Sequence, residues 1–320
     1  MTFSTMHISK LDTQQYQQNT SSHFQRPQSL NEFIGQDHIT RIIKTAISSA
    51  KKNKHYLWHI LLCGASGYGK TTLWSIIAKE YGKDFHIVTW YAINKPAEMI
   101  SILTNLKEWD IIFIDEIHRL KPAIEELMYI AMEDFAIDMV MPDGWSVRIP
   151  LQPFTLIGAT TKPEAIADPL KNRFIYNFHC VDYSEEEKYQ ILEKYINHYN
   201  ISYDTFLIPL IALKVDTVPR HIHNFVIKIR DFLITHHDSL SLDKEIRGLC
   251  EKRLSIQDGW ITPIHQKYLD ILRNNNNEPI GLKTISLQLG INEDAIEQEI
   301  EPLLLKQRLI NKTSRGRVII

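Results

Sequence analysis

The chain has 320 residues, 44% hydrophobic and 23% charged, which is ordinary for a soluble globular protein of two or three domains. Its formal net charge of −2 excludes a global electrostatic attraction to nucleic acid, so any such contact must come from a local patch. The three cysteines lack C-x-x-C spacing, which argues against disulfides and a zinc site. With no signal peptide and no apolar run near about 18 residues, a cytoplasmic protein without membrane contact is expected.

The first half of the chain has the pattern of an α/β domain. Residues 1–24 are rich in Gln, Ser and Thr and are predicted to form a disordered N-terminal arm. Amphipathic helical patterns cover residues 39–50 and the stretch that starts at Lys70. Buried-strand patterns occur at residues 57–63, 111–114 and 154–157. This alternation predicts a mostly parallel sheet, and residues 25–183 are assigned to one domain.

The pattern becomes helical after about residue 180. Ser184 and Glu187 have the spacing of a capping box, and Pro219 opens another helical pattern, so residues 184–255 are predicted to form a small all-α domain. Residues 256–320 contain three helical patterns followed by a basic hairpin with a turn at 314–316. Helices that end in such a hairpin are typical of a winged helix-turn-helix domain.

A phosphate-binding loop is the strongest motif. Residues 64–71 read GASGYGKT and fit G-x-x-x-x-G-K-[ST], in which the glycines let backbone N–H groups turn toward phosphate oxygens. Lys70 would reach the β- and γ-phosphates, and the Thr71 hydroxyl would bind Mg²⁺. The preceding strand and the following helix are the required context, which a chance glycine-rich turn would lack. The residues assigned to ATP in this segment are Gly64, Gly67, Gly69, Lys70, Thr71 and Thr72.

Two further motifs end buried strands with polar residues. The apolar run at 111–114 is followed by Asp115, a candidate magnesium ligand, and by Glu116, a candidate base for the water that attacks the γ-phosphate. The strand pattern at 154–157 leads to Thr160 and Thr161, and Thr161 is the candidate that orients this water or senses the γ-phosphate. Such residues often end ordinary strands, so both interpretations depend on the phosphate-binding loop.

Longer stretches of the sequence resemble the RuvB family of AAA+ ATPases, the hexameric motors of Holliday junction branch migration. The resemblance covers residues 25–320. It implies a P-loop AAA+ domain with a parallel sheet, an all-α lid domain and a C-terminal winged-helix domain. The segments that carry it read RPQSLNEFIGQ at 26–36, IDEIHRL at 114–120, AMEDF at 131–135, PFTLIGATT at 153–161, EPLL at 301–304 and TSRGR at 313–317.

The resemblance also implies roles for residues outside the three motifs. Arg173 matches an arginine finger that reaches the ATP of the neighbouring subunit, and Arg220 matches the lid arginine that senses the γ-phosphate. Alone, both would be interpreted as surface salt-bridge residues, and Tyr183 as a core aromatic. Arg26 would lie near the base and ribose, beside residues 133–135. The implied nucleotide contacts are Arg26, Glu133, Asp134, Phe135, Tyr183 and Arg220.

The C-terminal tail is the candidate DNA surface. Residues 302–320 contain five basic residues and no acidic residue, which suits a clamp on the phosphate backbone but also a solvated basic tail. The residues assigned to DNA are Lys312, Arg315 and Arg317, of which the resemblance places Lys312 and Arg317 at the wing. The implied partners are double-stranded DNA and four-way junctions, a homohexamer ring, and RuvA-like and RuvC-like proteins.

Several positions depart from the family pattern. Ala65 and Ser66 replace prolines of the phosphate-binding loop, residues 89–94 lack a glycine-containing signature, and Lys162 and Ile175 replace an arginine and a glycine. The hairpin by which the family docks RuvA is shortened at 141–148.

Two alternative functions remain. The short gap between the phosphate-binding loop and the Asp115-Glu116 motif, together with the helical lid, argues against a superfamily-2 helicase. A diverged paralogue that binds ATP as a scaffold or regulator, without moving DNA, is favoured by the altered hairpin and opposed by the complete ATPase motifs. The 14 histidines offer no i, i+4 metal pair, so no transition-metal site is expected.

Overall fold

The chain folds into two compact units, residues 1–187 and residues 188–320. The computed structural model describes residues 26–140, 144–212, 215–236, 240–243, 248, 261–275 and 278–320. The boundary between the units lies close to the predicted start of the helical domain at residue 184. The predicted N-terminal arm and the predicted boundary at 255–256 lie outside the described residues.

The first unit is built on a five-stranded parallel sheet, as the strand and helix patterns predict. The elements in chain order are α1 (Asp37–Asn53), β1 (Ile60–Cys63), α2 (Lys70–Tyr81), β2 (Phe85–Thr89), α3 (Pro96–Thr104), β3 (Ile111–Asp115), α4 (Pro122–Asp134), β4 (Ala136–Val140), β5 (Ser146–Pro150), β6 (Thr155–Thr160), α5 (Asp168–Lys171), β7 (Tyr176–His179) and α6 (Glu185–His198). The strand order in the sheet is β2-β3-β6-β1-β7. Strands β4 and β5 form a separate antiparallel hairpin, and α6 begins at the end of this unit.

The central strands are mostly apolar because both faces of the sheet are covered by helices. All residues of β1 and β6 are buried, and a separate core cluster lies on each face. On the face of α1 and α2, Trp74 stacks on Phe113 with 4.4 Å between ring centroids. The predicted strand at 57–63 begins only at Ile60, because the carbonyl of Leu57 accepts from the hydroxyl of Thr155 rather than from a strand partner.

The strand register brings three carboxyl-terminal ends to one edge of the sheet. Cys63 pairs with Thr160, and Ile114 pairs with Gly158, so β1, β3 and β6 end side by side. Ligands of parallel α/β sheets bind at this edge, where the loops that follow the strands converge.

The second unit begins within α6 and contains a helical part followed by a winged-helix domain. The predicted capping box before α6 is confirmed: the Ser184 amide donates to Glu187 Oε2 over 2.7 Å, and the Glu187 amide donates to Ser184 Oγ over 3.2 Å. The remaining elements are β8 (Ser202–Tyr203), α7 (Leu207–Ala212), α8 (Pro219–His236), β9 (Ser241–Leu242), α9 (Pro263–Arg273), α10 (Leu282–Leu289), α11 (Glu293–Ala295), a π-helical segment (Ile296–Ile300), α12 (Glu301–Lys306), β10 (Ile310–Thr313) and β11 (Gly316–Ile319).

The winged-helix prediction is confirmed. The third helical segment contains a π-helical turn before Pro302, because Pro302 cannot donate a backbone hydrogen bond and its ring displaces the preceding turn. Strands β10 and β11 form the antiparallel wing. Gly316 has φ +141°, and a Cβ there would lie 2.3 Å from the carbonyl oxygen of Ile280. Only glycine therefore lets the wing approach the segment before α10 so closely.

Candidate nucleotide-binding and catalytic site

The phosphate-binding loop joins β1 to α2 and has the backbone that its glycines allow. Gly64, Gly67 and Gly69 have φ values of +146°, +87° and +87°, a region in which other residues are strained. A Cβ on Gly64 would lie 2.9 Å from Cβ of Cys180, so the residue that follows β7 packs directly against the loop. The first turn of α2 follows immediately, and the amino-terminal end of a helix is favourable for an anion.

Lys70 places a positive charge inside this loop. Its side chain is buried, and Nζ donates to the carbonyl oxygens of Gly64 and Ala65 over 2.6 and 2.9 Å. The buried ammonium and the N–H groups of the helix together favour a phosphate group. Burial raises the pKa of the neighbouring Cys63 and Cys180 thiols to about 11, against the opposing effect of Lys70 on both, so these thiols stay protonated at neutral pH.

Aromatic side chains that the sequence analysis did not assign surround the loop. A Cβ on Gly69 would lie 3.0 Å from Phe33 and 3.4 Å from the hydroxyl of Tyr183. The Tyr183 hydroxyl donates to the carbonyl of Tyr68 over 3.1 Å, and the Tyr68 hydroxyl donates to Asp182. The structure therefore places Tyr183 beside the loop. Phe33 and Tyr68 were assigned no role, because Tyr68 occupies a variable position of the phosphate-binding motif and Phe33 has no polar group.

A buried glutamine secures the segment that leads to Tyr183. Gln36 exchanges two hydrogen bonds with the backbone of Val181: its Nε2 donates to the carbonyl over 2.7 Å, and its Oε1 accepts from the amide over 3.0 Å. The residues before α1 are thereby tied to the end of β7, and one wall of the site is fixed.

The acidic residues and the threonines meet beside the loop at the carboxyl edge of the sheet. Asp115 ends β3, and its Oδ1 accepts from the Glu116 amide over 3.0 Å. Glu116 has φ +48°, which turns its side chain toward the end of β6. There Oε2 of Glu116 accepts from the amide and the hydroxyl of Thr161, over 3.2 and 3.0 Å. The structure therefore joins the predicted base to the predicted sensor residue.

His118 is a further member of this group that the sequence analysis did not assign a role. Its Nδ1 lies 3.2 Å from Glu116 Oε2 and 3.0 Å from the hydroxyl of Thr160. Burial lowers the pKa of His118, although the nearby Glu116 carboxylate raises it. The ring is therefore neutral at neutral pH.

Thr71 and Thr72 lie in the first turn of α2, both partly buried. Thr71 follows Lys70 in the sequence, and Asp115 is the last residue of β3, which pairs with β6. A hydroxyl and a carboxylate are hard oxygen donors, so this pair fits the ligand preference of Mg²⁺.

Arg173 lies at the other end of the strands. It pairs with the Glu133 carboxylate, and Glu133 follows Met132, whose carbonyl lies 3.3 Å from Nε2 of His59. His59 immediately precedes β1, whereas the phosphate-binding loop follows β1. A four-residue strand spans roughly 13 Å, so Arg173 does not reach the phosphate-binding loop of the same chain.

The same geometry corrects the expectation for Glu133, Asp134 and Phe135. Phe135 packs edge-on against Tyr56 and against Phe154, which precedes β6, with ring centroids 4.9 and 5.7 Å apart. Asp134 pairs with Arg148 of β5 over 2.6 Å. The segment thus lies at the amino-terminal edge of the sheet and beside Arg173, not at the phosphate-binding loop.

The two remaining nucleotide candidates are exposed. Arg26 accepts a hydrogen bond at its carbonyl from the side chain of Gln28, and Gln28 also accepts from Lys79 of α2. Arg26 is therefore on the α2 face of the sheet, away from residues 133–135 on α4. Arg220 lies in the second unit, in the first turn of α8.

The three residues assigned to DNA differ in their exposure and in the ion pairs that they form within the wing. Glu301 is fully buried and accepts from Arg317 Nε, Lys312 Nζ and the Tyr268 hydroxyl, over 2.8, 2.6 and 2.9 Å. The side chain of Arg317 is only 14% exposed, and its guanidinium pairs with buried Glu301 and with exposed Glu297, so its charge is compensated within the domain. Lys312 is 41% exposed and forms a salt bridge with Glu301, and Arg315 is exposed in the hairpin turn.

A parallel sheet with a phosphate-binding loop, a strand-end Asp-Glu pair and a winged-helix domain define a P-loop ATPase of the AAA+ type. The family model described as the Holliday junction DNA helicase RuvB P-loop domain matches residues 25–180, and that of the RuvB C-terminal winged helix domain matches residues 259–320. The chain belongs to the RuvB family, as its sequence resemblance indicates.

Individual relatives agree with this assignment. The RuvB subunit of the Holliday junction branch migration complex from Kosmotoga olearia is 37% identical over 297 residues, which cover 92% of this chain and 86% of that protein. The corresponding subunit from Mycoplasmopsis synoviae is 37% identical over 298 residues, covering 92% and 94%. The structure of the Thermotoga maritima RuvB Holliday junction branch migration motor matches with a TM-score of 0.80 and 33% identity, covering 92% and 95% of the two chains. None of the described helices combines the length and apolar character needed to cross a membrane.

Proposed function

We propose that this chain is the ATP-hydrolysing subunit of a homohexameric ring that drives Holliday junction branch migration on double-stranded DNA in the cytoplasm, during recombination and repair. The observation that carries the proposal is the convergence of Lys70, Asp115, Glu116 and Thr161 at one edge of the sheet, in a chain whose relatives are named as branch migration subunits.

In the proposed hydrolysis step, the loop N–H groups and Lys70 bind the phosphate oxygens of ATP. Glu116 accepts a proton from the attacking water, and Thr161 helps to orient that carboxylate. Thr71 and Asp115 would hold Mg²⁺, which when bound neutralises charge on the β- and γ-phosphate oxygens. Arg26, Thr72, Tyr183 and Arg220 are proposed as further contacts to the nucleotide.

The proposed ring supplies each site with residues from a neighbouring subunit. Arg173 is too far from its own phosphate-binding loop and partly exposed, which supports a role as an arginine finger in the site next door. We assign Glu133, Asp134 and Phe135 to the same subunit edge, because Glu133 pairs with Arg173.

The proposed DNA contact is the wing, with Arg315 and Lys312 on phosphate groups. Contacts of this kind carry no base identity, which suits a motor that moves along any sequence. A RuvA-like partner is proposed to dock on the β4–β5 hairpin, where Trp145 and Val147 are 74% and 44% exposed, and a RuvC-like protein to act on the same junction.

The test is ATP turnover by the purified chain, with and without four-way-junction DNA, with Lys70→Ala as the matched blank. Turnover that rises with junction DNA and disappears in Lys70→Ala is the expected result. ATP binding without turnover, or turnover indifferent to DNA even with a RuvA-like protein present, would leave the scaffold or regulator as the better description.

A further inference from the structure

Glu116, the proposed base, is anchored through only one of its two carboxylate oxygens. Oε2 accepts from the Thr161 amide and hydroxyl and also lies 3.2 Å from Nδ1 of His118. Among the residues that the structure describes, Oε1 accepts no hydrogen bond. A carboxylate held in this way presents its second oxygen, with its lone pairs, to a water molecule.

His118 is itself held by rigid parts of the fold. It is the middle residue of a short 3₁₀ helix, Ile117–Arg119, that begins directly after Glu116. Ile117 is fully buried and packs on Gly158 of β6, where a Cβ would lie 3.0 Å from its Cδ1. The side chain of His118 is only 9% exposed, against 30% for Glu116. The ring therefore has little freedom to leave the carboxylate.

The contact identifies which ring nitrogen carries the proton. A carboxylate oxygen is only an acceptor, so a ring nitrogen 3.2 Å away is stable there when it is a donor. The other neighbour of Nδ1 is the hydroxyl of Thr160, which can accept. Both contacts are satisfied by a neutral imidazole with its hydrogen on Nδ1.

We propose that His118 is a positioning residue for ATP hydrolysis: its Nδ1–H, together with Thr161, holds Oε2 of Glu116 so that Oε1 faces the attacking water. This inference rests on the proposed ATPase function. His118 would also connect the end of β6 to Glu116, because the same Nδ1 contacts the Thr160 hydroxyl.

Two substitutions of His118 distinguish this role from simple packing. The amide nitrogen of His118→Asn can occupy the position of Nδ1, whereas that of His118→Gln reaches toward the position of Nε2. We expect His118→Gln to lower kcat about 10- to 100-fold, with KM for ATP and the thermal midpoint little changed, since misplacing a catalytic group by about 1 Å costs about 100-fold. His118→Asn should keep kcat within about threefold of the unmodified chain.

Equal losses of kcat in the two variants, or a rise in KM with kcat unchanged, would overturn the proposal. The ¹⁵N NMR signals of the histidines in the full-length chain, assigned by loss of a signal in His118→Gln, give an independent measurement. We expect the proton on Nδ1 at neutral pH, and a proton on Nε2 would refute the contact. If the unmodified chain does not hydrolyse ATP, the proposed function fails, and the NMR signal still decides the His118 contact.

Discussion

Replacing Arg317 and Arg315 separately should show that Arg317 stabilises the wing and that Arg315 contacts DNA. Arg317→Ala removes one of three donors from Glu301, a carboxylate with no exposed surface. Burial alone would raise the pKa of Glu301, but the hydrogen bonds from Arg317, Lys312 and Tyr268 outweigh this effect and lower the pKa below its usual value. The carboxylate is therefore ionised and depends on these donors.

The cost of the Arg317 substitution follows from this geometry. Breaking a buried ion pair by removing one partner costs about 3–5 kcal/mol. Since Lys312 and Tyr268 remain on the carboxylate, we expect about 2–3 kcal/mol, which lowers the thermal midpoint of the unit that contains the wing by about 5–10 °C. Arg315 is exposed, so Arg315→Ala should change that midpoint by less than about 2 °C.

The DNA-binding assay is fluorescence anisotropy of a labelled duplex with the full-length chain at several salt concentrations. A lost phosphate contact lowers the slope of log K against log[salt] by about 0.9, and we expect this for Arg315→Ala. Arg317→Ala, measured below its melting temperature, should keep the slope. The reasoning would be refuted if Arg317→Ala left the thermal midpoint unchanged and reduced the slope as Arg315→Ala does.

Two other predictions concern the arginine finger and a buried histidine. Arg173→Ala should lower turnover at least about 1,000-fold. Mixing this variant with Lys70→Ala subunits should restore part of the activity, because the mixture forms sites that combine an intact loop with an intact finger. A mixture that stays inactive would contradict action across subunits. His59 is buried as a neutral ring, because burial lowers its pKa from 6.5 to about 4. Between these values the unfolded chain binds more protons, so stability is complete above pH 6.5 and falls by about 3 kcal/mol as the pH drops to 4. Urea unfolding at pH 7 and pH 5 should show a loss of about 2 kcal/mol in the unmodified chain and a much smaller loss in His59→Asn; equal losses in both would exclude His59 as the cause.

The local parts of the site could be predicted from the sequence because each is contained in a few consecutive residues. The phosphate-binding loop needs only its glycines and Lys70 between a strand and a helix, and Glu116 needs only the apolar strand before it. Their meeting with Thr161 was also accessible, since parallel strands end at one edge of a sheet. The bond between Glu116 and Thr161 realises this expectation.

The parts that the sequence did not reveal depend on pairings between distant residues. The burial of Glu301 and its bond to Arg317 follow from the packing of the wing on α9 and α12, and neither periodicity nor charge count reveals it. Residues 133–135 sit at the amino-terminal edge because α4 runs back from the carboxyl end of β3, and this follows from the parallel topology rather than from their own sequence. The π-helical segment lies directly before the turn that contains Pro302, and the helical periodicity of this region does not distinguish it from an α-helix.

The placement of Arg173 at one end of β1 and the phosphate-binding loop at the other has a consequence for symmetry. If Arg173 completes the neighbour's site, the contact between subunits joins two different surfaces and is heterologous. A two-fold dimer would place like surfaces together and leave both sites without a finger. Such subunits associate head to tail, into a closed ring or an open helical filament, and the rotation between neighbours decides which of the two forms.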